Sequence, residues 1–530
     1  MKKRMLAATL AALMLALTSC AGAAESGSQT NDSTSAAAES ASETAAAETE
    51  APAETTSAEE PEPIKSEVFL PQKEKQVINE TPVSYESFGI DKADKTAFKE
   101  KIEKETKIPV IAVTTNNEDI TSREEYTSCV VDVFNCPDEQ IIDEASAGIK
   151  VRGNSSAFYG DVGQILKNQV PYRIKFDNRT SMLGLSGGSE CKSWVLLKAD
   201  WDLVRNDFAF RLGRALIGDD AFCSDSTLVH VYVNEEFKGV YLLCEQCQVD
   251  KNRVDISEPE EGSADTNIGY YLELDNYATS EDDNIYIETY YGGYEVTDIE
   301  GETREFVPAE YSVKNDVYTQ GQVDFIEKYL NNLFKIVYLA CEKGEYKTFD
   351  ENYSLVDAPY TTAQETIEAV MDIPSVVDMY LLYEAVHDYD CGEGSFFMCV
   401  DFSEDSKCPK MKFTSPWDFN WAYNDSTERY WAGAFCEKSF AASKGDRSNP
   451  WFILLIKQDW FKQLATEKWS ALKEDGTLKA IVEDEKAFLE EYRDDLNKAD
   501  ENSVDNAYKL LDGWIANRLY WMGLTFKPEK

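Results

Sequence analysis

The sequence is poor in positive charge and in histidine. Its 530 residues include 52 Lys and Arg against 98 Asp and Glu, which gives a formal net charge of −46. A chain this acidic repels a phosphate backbone and an anionic lipid surface, so general nucleic-acid binding and electrostatic membrane binding are excluded. Only two histidines occur, His230 and His387, which excludes a three-histidine metal site. Hydrophobic residues still make up 43% of the chain, enough for a large folded core.

The sequence also lacks any apolar run of the roughly 18 residues that a membrane-spanning helix needs. The shorter run Met5–Leu17 follows the basic segment Met1–Arg4 and leads into Leu17–Cys20, a pattern typical of a signal peptide. A Cys directly after small residues resembles the bacterial lipobox, which implies that Cys20 is acylated and becomes the first mature residue. We therefore expect residues 1–20 to be a lipoprotein signal peptide of an extracytoplasmic, membrane-anchored bacterial protein. An ordinary signal peptide that contains Cys20 by chance is the alternative.

Aromatic residues are absent from the segment that follows. Of the 45 residues 21–65, 35 are Ala, Ser, Thr or Glu. Such a segment cannot bury enough apolar surface to offset its ordering entropy, so we predict a disordered acidic tether. The folded part is expected at residues 66–530, which keep a net charge of −40.

The apolar pattern predicts strands in the first half of the folded part and helices in the second, which indicates an α+β fold. Strands are predicted at residues 108–115, 128–134, 147–152, 170–176, 228–233, 239–245 and 269–275, with a hairpin at 395–413. Helices are predicted at residues 202–217, 321–341, 374–386, 451–473 in pieces, 479–496 and 504–522, with Asp202 as the N-cap of the first. Cys399 and Cys408 flank an acidic turn and are placed to face each other across the hairpin. Apart from Cys20 the cysteines number eleven, so at least one thiol is unpaired within the chain.

Two predicted strands carry a set of cations. Alternation puts Lys150 and Arg152 on one face of the first strand, and Arg173 and Lys175 on one face of the second. If the strands pair, four cations converge beside a loop that contains Gly153, Gly160 and Gly163, an arrangement that suits a polyphosphate. A solvated strand face paired with surface acids is the alternative.

A set of carboxylates lies farther along the chain. Asp388 and Asp390 follow the helix predicted at 374–386, and Asp418 follows the hairpin, 28 residues after Asp390. Carboxylates on two such loops can converge on one divalent cation, and Mg²⁺ prefers one or two carboxylates together with phosphate oxygens. Turn and cap aspartates are the alternative.

A series of segments resembles, in order, the spore-coat kinase (CotH) family. The resemblance runs from about Ile108 to Arg518 and is carried by Ile149–Ser155, Pro171–Lys175, Trp194–Leu197, Val204–Asn206, Val231–Leu243 with Glu245, Gly269–Asp275 and Pro416–Phe419. It implies an atypical protein-kinase-like fold, with a core at about 108–520, that transfers phosphate from ATP to Ser residues of proteins with Mg²⁺ or Mn²⁺. The resemblance therefore favours a polyphosphate-binding role for the four cations and a cation-binding role for the carboxylates over the two alternatives given above.

The resemblance also implies roles for individual residues. Asp390 matches the catalytic base, and Asp418 matches the metal-binding aspartate. Arg152 and Lys175 fall in strands that resemble the nucleotide-holding part, with Glu245 as a candidate ion-pair partner of Lys175. Two positions next to the metal depart from the family's pattern, because Asn420 replaces a second acid and Ser395 stands where many members have Asn.

We therefore expect a metal- and ATP-dependent protein serine kinase at the cell surface. Its partner is expected to be a Ser-containing, basic protein, with no nucleic acid involved and with the membrane reached only through the lipid anchor. Because Asn420 and Ser395 weaken the ligand set, the alternative is a weak or inactive surface lipoprotein that binds a partner protein or a cell-wall polysaccharide. The aromatic segments 289–294 and 421–431 would serve that alternative. A two-carboxylate glycosidase is not forbidden, but the order of the motifs gives it no support.

Overall fold

A computed structural model describes residues 68–72, 77–159, 165–199, 202–276, 278–280, 284–289, 293–297, 303–306, 309–423 and 449–528. These residues belong to one unit, Lys65–Lys530. The expected signal peptide with Cys20, the expected tether, Gly160 and Gly163 lie outside the described residues, as do most of the aromatic segments. No helix in the part of the chain that the structure describes is long and apolar enough to cross a membrane.

Seven strands form a closed barrel in the first half of the chain. They are β1 (Val110–Thr115), β2 (Thr127–Phe134), β3 (Ile142–Val151), β4 (Tyr172–Thr180), β5 (Cys191–Lys198), β6 (Ser226–Val233) and β7 (Glu236–Glu245). The barrel order is β1-β2-β3-β4-β5-β7-β6, and it closes where β6 pairs with β1. That closing pair is parallel, with Val110 opposite His230, whereas the other pairs are antiparallel.

A second sheet lies in the following half. Its strands are β8 (Gly269–Leu274), β9 (Tyr286–Glu288), β10 (Glu310–Val313), β11 (Phe396–Asp401) and β12 (Lys412–Thr414). The order is β9-β10-β8-β11-β12, and all pairs are antiparallel. Two-stranded ribbons pair Phe158–Tyr159 with Ile165–Leu166, Glu295–Thr297 with Thr303–Glu305, and Lys347–Phe349 with Leu355–Asp357.

The helices lie mostly in the second half of the described chain, and the first of them precedes the barrel strands. They are α1 (Lys92–Glu105), α2 (Arg205–Ile217), α3 (Gln320–Tyr338), α4 (Ala363–Glu368), α5 (Ile373–Val386), α6 (Phe452–Leu455), α7 (Asp459–Glu474), α8 (Thr477–Glu491), α9 (Arg493–Leu496), α10 (Ser503–Lys509) and α11 (Ala516–Thr525). Wider π-helical turns extend α3 over Leu339–Lys343 and join α10 to α11 over Leu510–Ile515. Single helical turns occupy Leu185–Gly188, Asp138–Gln140, Ala278–Ser280, Tyr389–Gly392 and Phe419–Trp421.

Two large apolar clusters hold the barrel and the helical part together, and a smaller third one packs α1 on the barrel. One fills the barrel and takes the inward side chains of β3 and β4, such as Ile149 and Ile174. The other is larger, and it joins α2, the second sheet and the C-terminal helices to outward side chains of the barrel, such as Val195 and Leu242. Because β5 and β7 are apolar on both faces, the barrel packs on the helical part through its outer wall.

The predicted order of strands followed by helices is confirmed, and so is most of the predicted element set. The predicted N-cap is wrong, because α2 begins at Arg205 with Val204 as its N-cap. Asp202 instead accepts a hydrogen bond from Arg205 Nη2 at 2.9 Å, so its carboxylate pairs with the guanidinium of the first helical residue. Helix α1 and strand β5 were not among the predicted elements.

Candidate active site

The acidic side of the site is built at the C-terminal end of α5. The helix ends at His387, which has a left-handed conformation (φ 55°) and turns the chain away from the helix axis. In the next turn the buried Asp388 accepts a hydrogen bond from the backbone N–H of Asp390 at 3.1 Å. The backbone carbonyl of Asp390 accepts from the N–H groups of Glu393 and Gly394 at 2.8 and 3.0 Å. Hydrogen bonds therefore fix both the backbone N–H and the backbone carbonyl of Asp390.

The second carboxylate follows strand β12. Asp418 has a left-handed backbone (φ 60°), and its Oδ1 accepts a hydrogen bond from Asn420 Nδ2 at 2.5 Å. Ser395 and Ser415, which flank the β11–β12 hairpin, also have positive φ values of 54° and 52°. Non-glycine residues in this conformation cost free energy and concentrate at functional sites. The loops at this end of the second sheet are therefore held in costly conformations by their surroundings.

The two carboxylates are close enough to perturb each other. Burial raises the pKa of Asp390 to about 7, and the charges of Asp418 and Glu393 add to the shift. Burial also raises the pKa of Asp418, whereas the charge of Arg152 opposes that shift. No described residue donates a hydrogen bond to the Asp390 carboxylate. The structure therefore brings the predicted pair together, with the pKa of Asp390 raised to about 7.

The predicted cationic face is confirmed by the pairing of β3 with β4. Lys150 lies opposite Arg173, and Gly148 lies opposite Lys175, so the cations share one face of the pair. Burial lowers the pKa of Lys150, and the charges of Arg173 and Lys175 lower it further. A cation-rich face that loses hydration and repels itself favours an anionic ligand.

Arg152 connects this face to the acidic side. Its backbone N–H donates to the carbonyl of Pro171 at 3.0 Å, just beyond the end of β3. Its guanidinium carbon lies 5.3 Å from the centroid of the Trp417 ring, and its charge reaches Asp418. Burial, and then the charge of Arg173, lowers the pKa of Arg152. The outer wall of the barrel and the loop after β12 therefore meet at Arg152.

The glycine loop is described only at its start. Gly153 has φ 82°, and a Cβ at this position would collide with Ser156 Oγ. The left-handed backbone therefore favours glycine directly after Arg152, and a side chain here would also have to displace the Ser156 hydroxyl.

The expected Lys175–Glu245 ion pair is not the one that Glu245 forms. Glu245 Oε1 lies 3.6 Å from Arg253 Nε, and both side chains are fully buried. Its Oε2 accepts from Ser186 Oγ at 2.5 Å and from the N–H of Asp225 at 3.1 Å. Arg253 follows β7 by eight residues and folds back on it. The ion-pair partner of Glu245 is therefore Arg253, which is near in sequence, and not the more distant Lys175.

Ser395, which was expected near a metal, is the residue directly before β11. Its backbone carbonyl accepts a hydrogen bond from Tyr383 Oη at 3.5 Å. Its hydroxyl forms no hydrogen bond with Asp390 or Asp418 in the described structure. Asn420, in contrast, is directly bonded to Asp418.

Sequence reasoning missed Asn206 as a site residue, although it had singled out the segment Val204–Asn206. Asn206 Oδ1 accepts from the N–H of Phe419 at 3.0 Å, and its Nδ2 donates to Asn420 Oδ1 at 3.1 Å. Beside it, Arg205 Nη1 donates to the carbonyl of Ala422. The first turn of α2 therefore holds the loop that carries Asp418.

A divalent cation with a nucleotide fits this set of side chains. No group of three or more His, Cys, Asp or Glu side chains that could hold a metal occurs among the described residues. Mg²⁺, however, is commonly held by one or two carboxylates and completed by phosphate oxygens and water. Asp390 and Asp418 repel each other, so a cation between them would relieve that repulsion.

Comparison with known proteins identifies the family of this chain. A search of curated proteins found no match. The family model described as CotH kinase protein matches residues 149–522, which include the cationic face, α2 and both aspartates. The chain therefore belongs to the CotH kinase family.

Proposed function

We propose that the protein is a metal- and ATP-dependent protein serine kinase with a kinase-like fold, anchored to the outside of the cell by a lipid on Cys20. Membership of the CotH kinase family supports a kinase-like protein. The observation that supports the metal and ATP dependence is that the charge of Arg152, at the edge of the cationic face, acts on Asp418, whose charge in turn acts on Asp390. Phosphoryl transfer needs this combination of phosphate-binding cations, a metal-holding carboxylate and a base.

Each group has a separate role in this proposal. Arg152 and Lys175 bind the phosphates through charge-assisted hydrogen bonds. Asp418 would hold the cation, with Asn420 and Ser395 as additional oxygen ligands. A bound Mg²⁺ or Mn²⁺ supplies charge neutralisation and orients the phosphates. Asp390 accepts the proton of the attacking Ser hydroxyl, which a pKa of about 7 permits at neutral pH.

The substrate is proposed to be a basic protein segment that contains Ser. The folded part carries a net charge of −40, so it attracts a basic partner and repels an acidic one. Nucleic acid is excluded from the proposal for the same reason.

A second candidate, a weak or inactive module that binds a partner at the cell surface, rests on Asn420. Its amide donates a hydrogen bond to Asp418 Oδ1 at 2.5 Å, so this oxygen is already engaged. An amide also brings no negative charge to a second cation. If this bond persists when nucleotide is offered, the chain binds metal weakly and transfers phosphate slowly or not at all.

Substitutions of the two aspartates distinguish nucleotide binding from phosphate transfer. We expect Asp418→Ala to lose metal-dependent ATP binding as well as turnover, because the phosphates would then face an acidic site without neutralisation. We expect Asp390→Ala to keep ATP binding and lose only phosphate transfer. The assays are calorimetry with ATP and Mn²⁺, and incorporation of labelled γ-phosphate into a basic Ser-containing peptide. Asp484→Ala, which removes an exposed carboxylate on α8, is the matched control and should change neither.

Asn420→Asp tests the departure itself. If the missing acid limits activity, the variant should bind Mn²⁺–ATP more tightly and transfer phosphate faster than wild type. If neither wild type nor Asn420→Asp binds nucleotide at any metal concentration tested, the kinase proposal fails and the binding module remains.

A further inference from the structure

Two thiols meet on the β11–β12 hairpin. Cys399 lies on β11, and Cys408 lies in the segment that leads to β12. Their Sγ atoms are 3.6 Å apart, the contact predicted from the sequence. Both residues are almost fully buried, with 3% and 5% of their surfaces exposed. The thiol of Cys408 also approaches the backbone carbonyl of Cys399 at 3.5 Å.

The backbone already holds the two residues in position for a covalent bond. The N–H of Asp401 donates to the carbonyl of Cys408 at 2.8 Å, and Cys399 lies opposite Lys412 in the hairpin register. A disulfide requires the sulfurs to approach to about 2 Å, which is a side-chain adjustment of about 1.5 Å from their present contact.

A route to these thiols is also present. Cys399 and Cys408 both line a cavity of about 770 Å³. Lys407, Lys412 and Cys223 line the same cavity, which shares no lining residue with the aspartate site. The volume falls in the range that admits a small molecule.

We propose that Cys399 and Cys408 form a reversible disulfide site that small disulfides oxidise through this cavity. The proposal is independent of the kinase proposal, because it rests on the hairpin and the cavity alone. The disulfide would lock the hairpin that separates the Asp390 turn from the Asp418 loop.

The reaction is a pair of thiol–disulfide exchanges. The thiolate of one cysteine attacks the oxidant disulfide, forming a mixed disulfide and releasing one thiol. The other cysteine loses its proton, attacks the protein sulfur of the mixed disulfide and releases the second thiol. One sulfur–sulfur bond forms and one breaks. The two protons and two electrons of the cysteines leave with the two released thiols.

The test uses the full folded chain and 2-hydroxyethyl disulfide, a small neutral oxidant. After incubation and trapping of free thiols, non-reducing peptide mapping should find a peptide that links Cys399 to Cys408. The linked pair should weigh about 2 Da less than the two peptides in their thiol form, the mass of two hydrogens, and dithiothreitol should separate it into those peptides. The temperature of unfolding should rise in the oxidised form and fall back on reduction, because a closed loop restricts the unfolded chain.

Single variants identify the exchange partner. Cys399→Ser and Cys408→Ser should each retain the reagent as a mixed disulfide, because the resolving thiol is missing. Cys223→Ser removes a buried thiol from the wall of the same cavity and should leave the Cys399–Cys408 link unchanged. If wild type ends as a mixed disulfide at either cysteine, or if both thiols remain free while the folded protein is exposed to the oxidant, the proposal is wrong.

Discussion

Asn206 offers a direct test of how the Asp418 loop is held. It lies in the first turn of α2 and is 6% exposed, and its amide binds both Phe419 and Asn420. Asn206→Ala leaves the N–H of the fully buried Phe419 without its acceptor, which costs about 1–3 kcal/mol. Loss of the second hydrogen bond adds about 0.5–1.5 kcal/mol. Alanine returns up to about 0.7 kcal/mol through its helix propensity, so we expect a net loss of about 1–4 kcal/mol in the free energy of unfolding.

The assay is denaturant unfolding of the wild type and the variant. Asn517→Ala is the matched control, because Asn517 is exposed on α11 and its amide donates only to Gly513 of the preceding turn, at 2.8 Å. It should change stability by less than about 0.5 kcal/mol. A second measurement separates positioning from stability, since the Mn²⁺ concentration needed for half-maximal ATP binding should rise only in Asn206→Ala. Equal unfolding free energies for the two variants would show that α2 does not hold the Asp418 loop.

The remaining predictions concern the proposed anchor, the cationic face and two carboxylates. Cys20→Ala should release the protein from the membrane fraction, and a variant that stays in the pellet after a salt wash would contradict the lipid anchor. Lys175→Ala should weaken ATP binding by about 1.5–3 kcal/mol by calorimetry, whereas Lys192→Ala, at an exposed barrel position, should not. Because Asp390 must be ionised to accept a proton, kcat/KM should rise with pH through about 7, and a flat profile from pH 6 to 8 would remove it as the base. Burial would raise the pKa of Asp495, but hydrogen bonds from Thr106, Lys498 and two backbone N–H groups lower it to about 2, so Asp495 stabilises the fold by about 2 kcal/mol at neutral pH. That contribution is lost as pH falls from about 4 to about 2, so the stability difference between wild type and Asp495→Asn should shrink over this range; a constant difference would contradict it.

The cationic face was predictable because it depends on a local rule. Side chains alternate along a strand, so Arg173 and Lys175 must lie opposite Tyr172 and Ile174 wherever the strand is placed. Tyr172 and Ile174 lie in the barrel core, so Arg173 and Lys175 lie on the outer wall. The convergence of Asp390 and Asp418 was predictable for a related reason, since one hairpin separates them.

The partners of Asn206 and Glu245 were not predictable from local patterns. Asn206 and Phe419 are 213 residues apart, and they meet only because α2 packs against the loop after β12. Glu245 had several cations in reach, and the structure selects Arg253, which lies over the buried ring of Trp194 at 5.2 Å. Both outcomes depend on which surfaces pack together. A single sequence does not contain that information in any short segment.

The arrangement explains how a strongly acidic chain can still carry a local group of cations. Charges farther apart than about 10 Å are largely screened at 0.1 M salt, so the net charge acts weakly on a ligand that is already bound. Within the site, Arg152 and Arg173 are drawn together against their repulsion by the pairing of β3 with β4, and burial removes part of their hydration. Asp418 faces Arg152 at the edge of that group, so the site holds opposite charges side by side. A ligand that carries both phosphates and a cation can interact favourably with both sides at once. A bare polyanion, in contrast, is repelled by the carboxylates, and a bare cation is repelled by the guanidinium groups. Binding of nucleotide and metal should therefore be mutually dependent, and this coupling follows from the geometry of the pairing and not from the net charge of the chain.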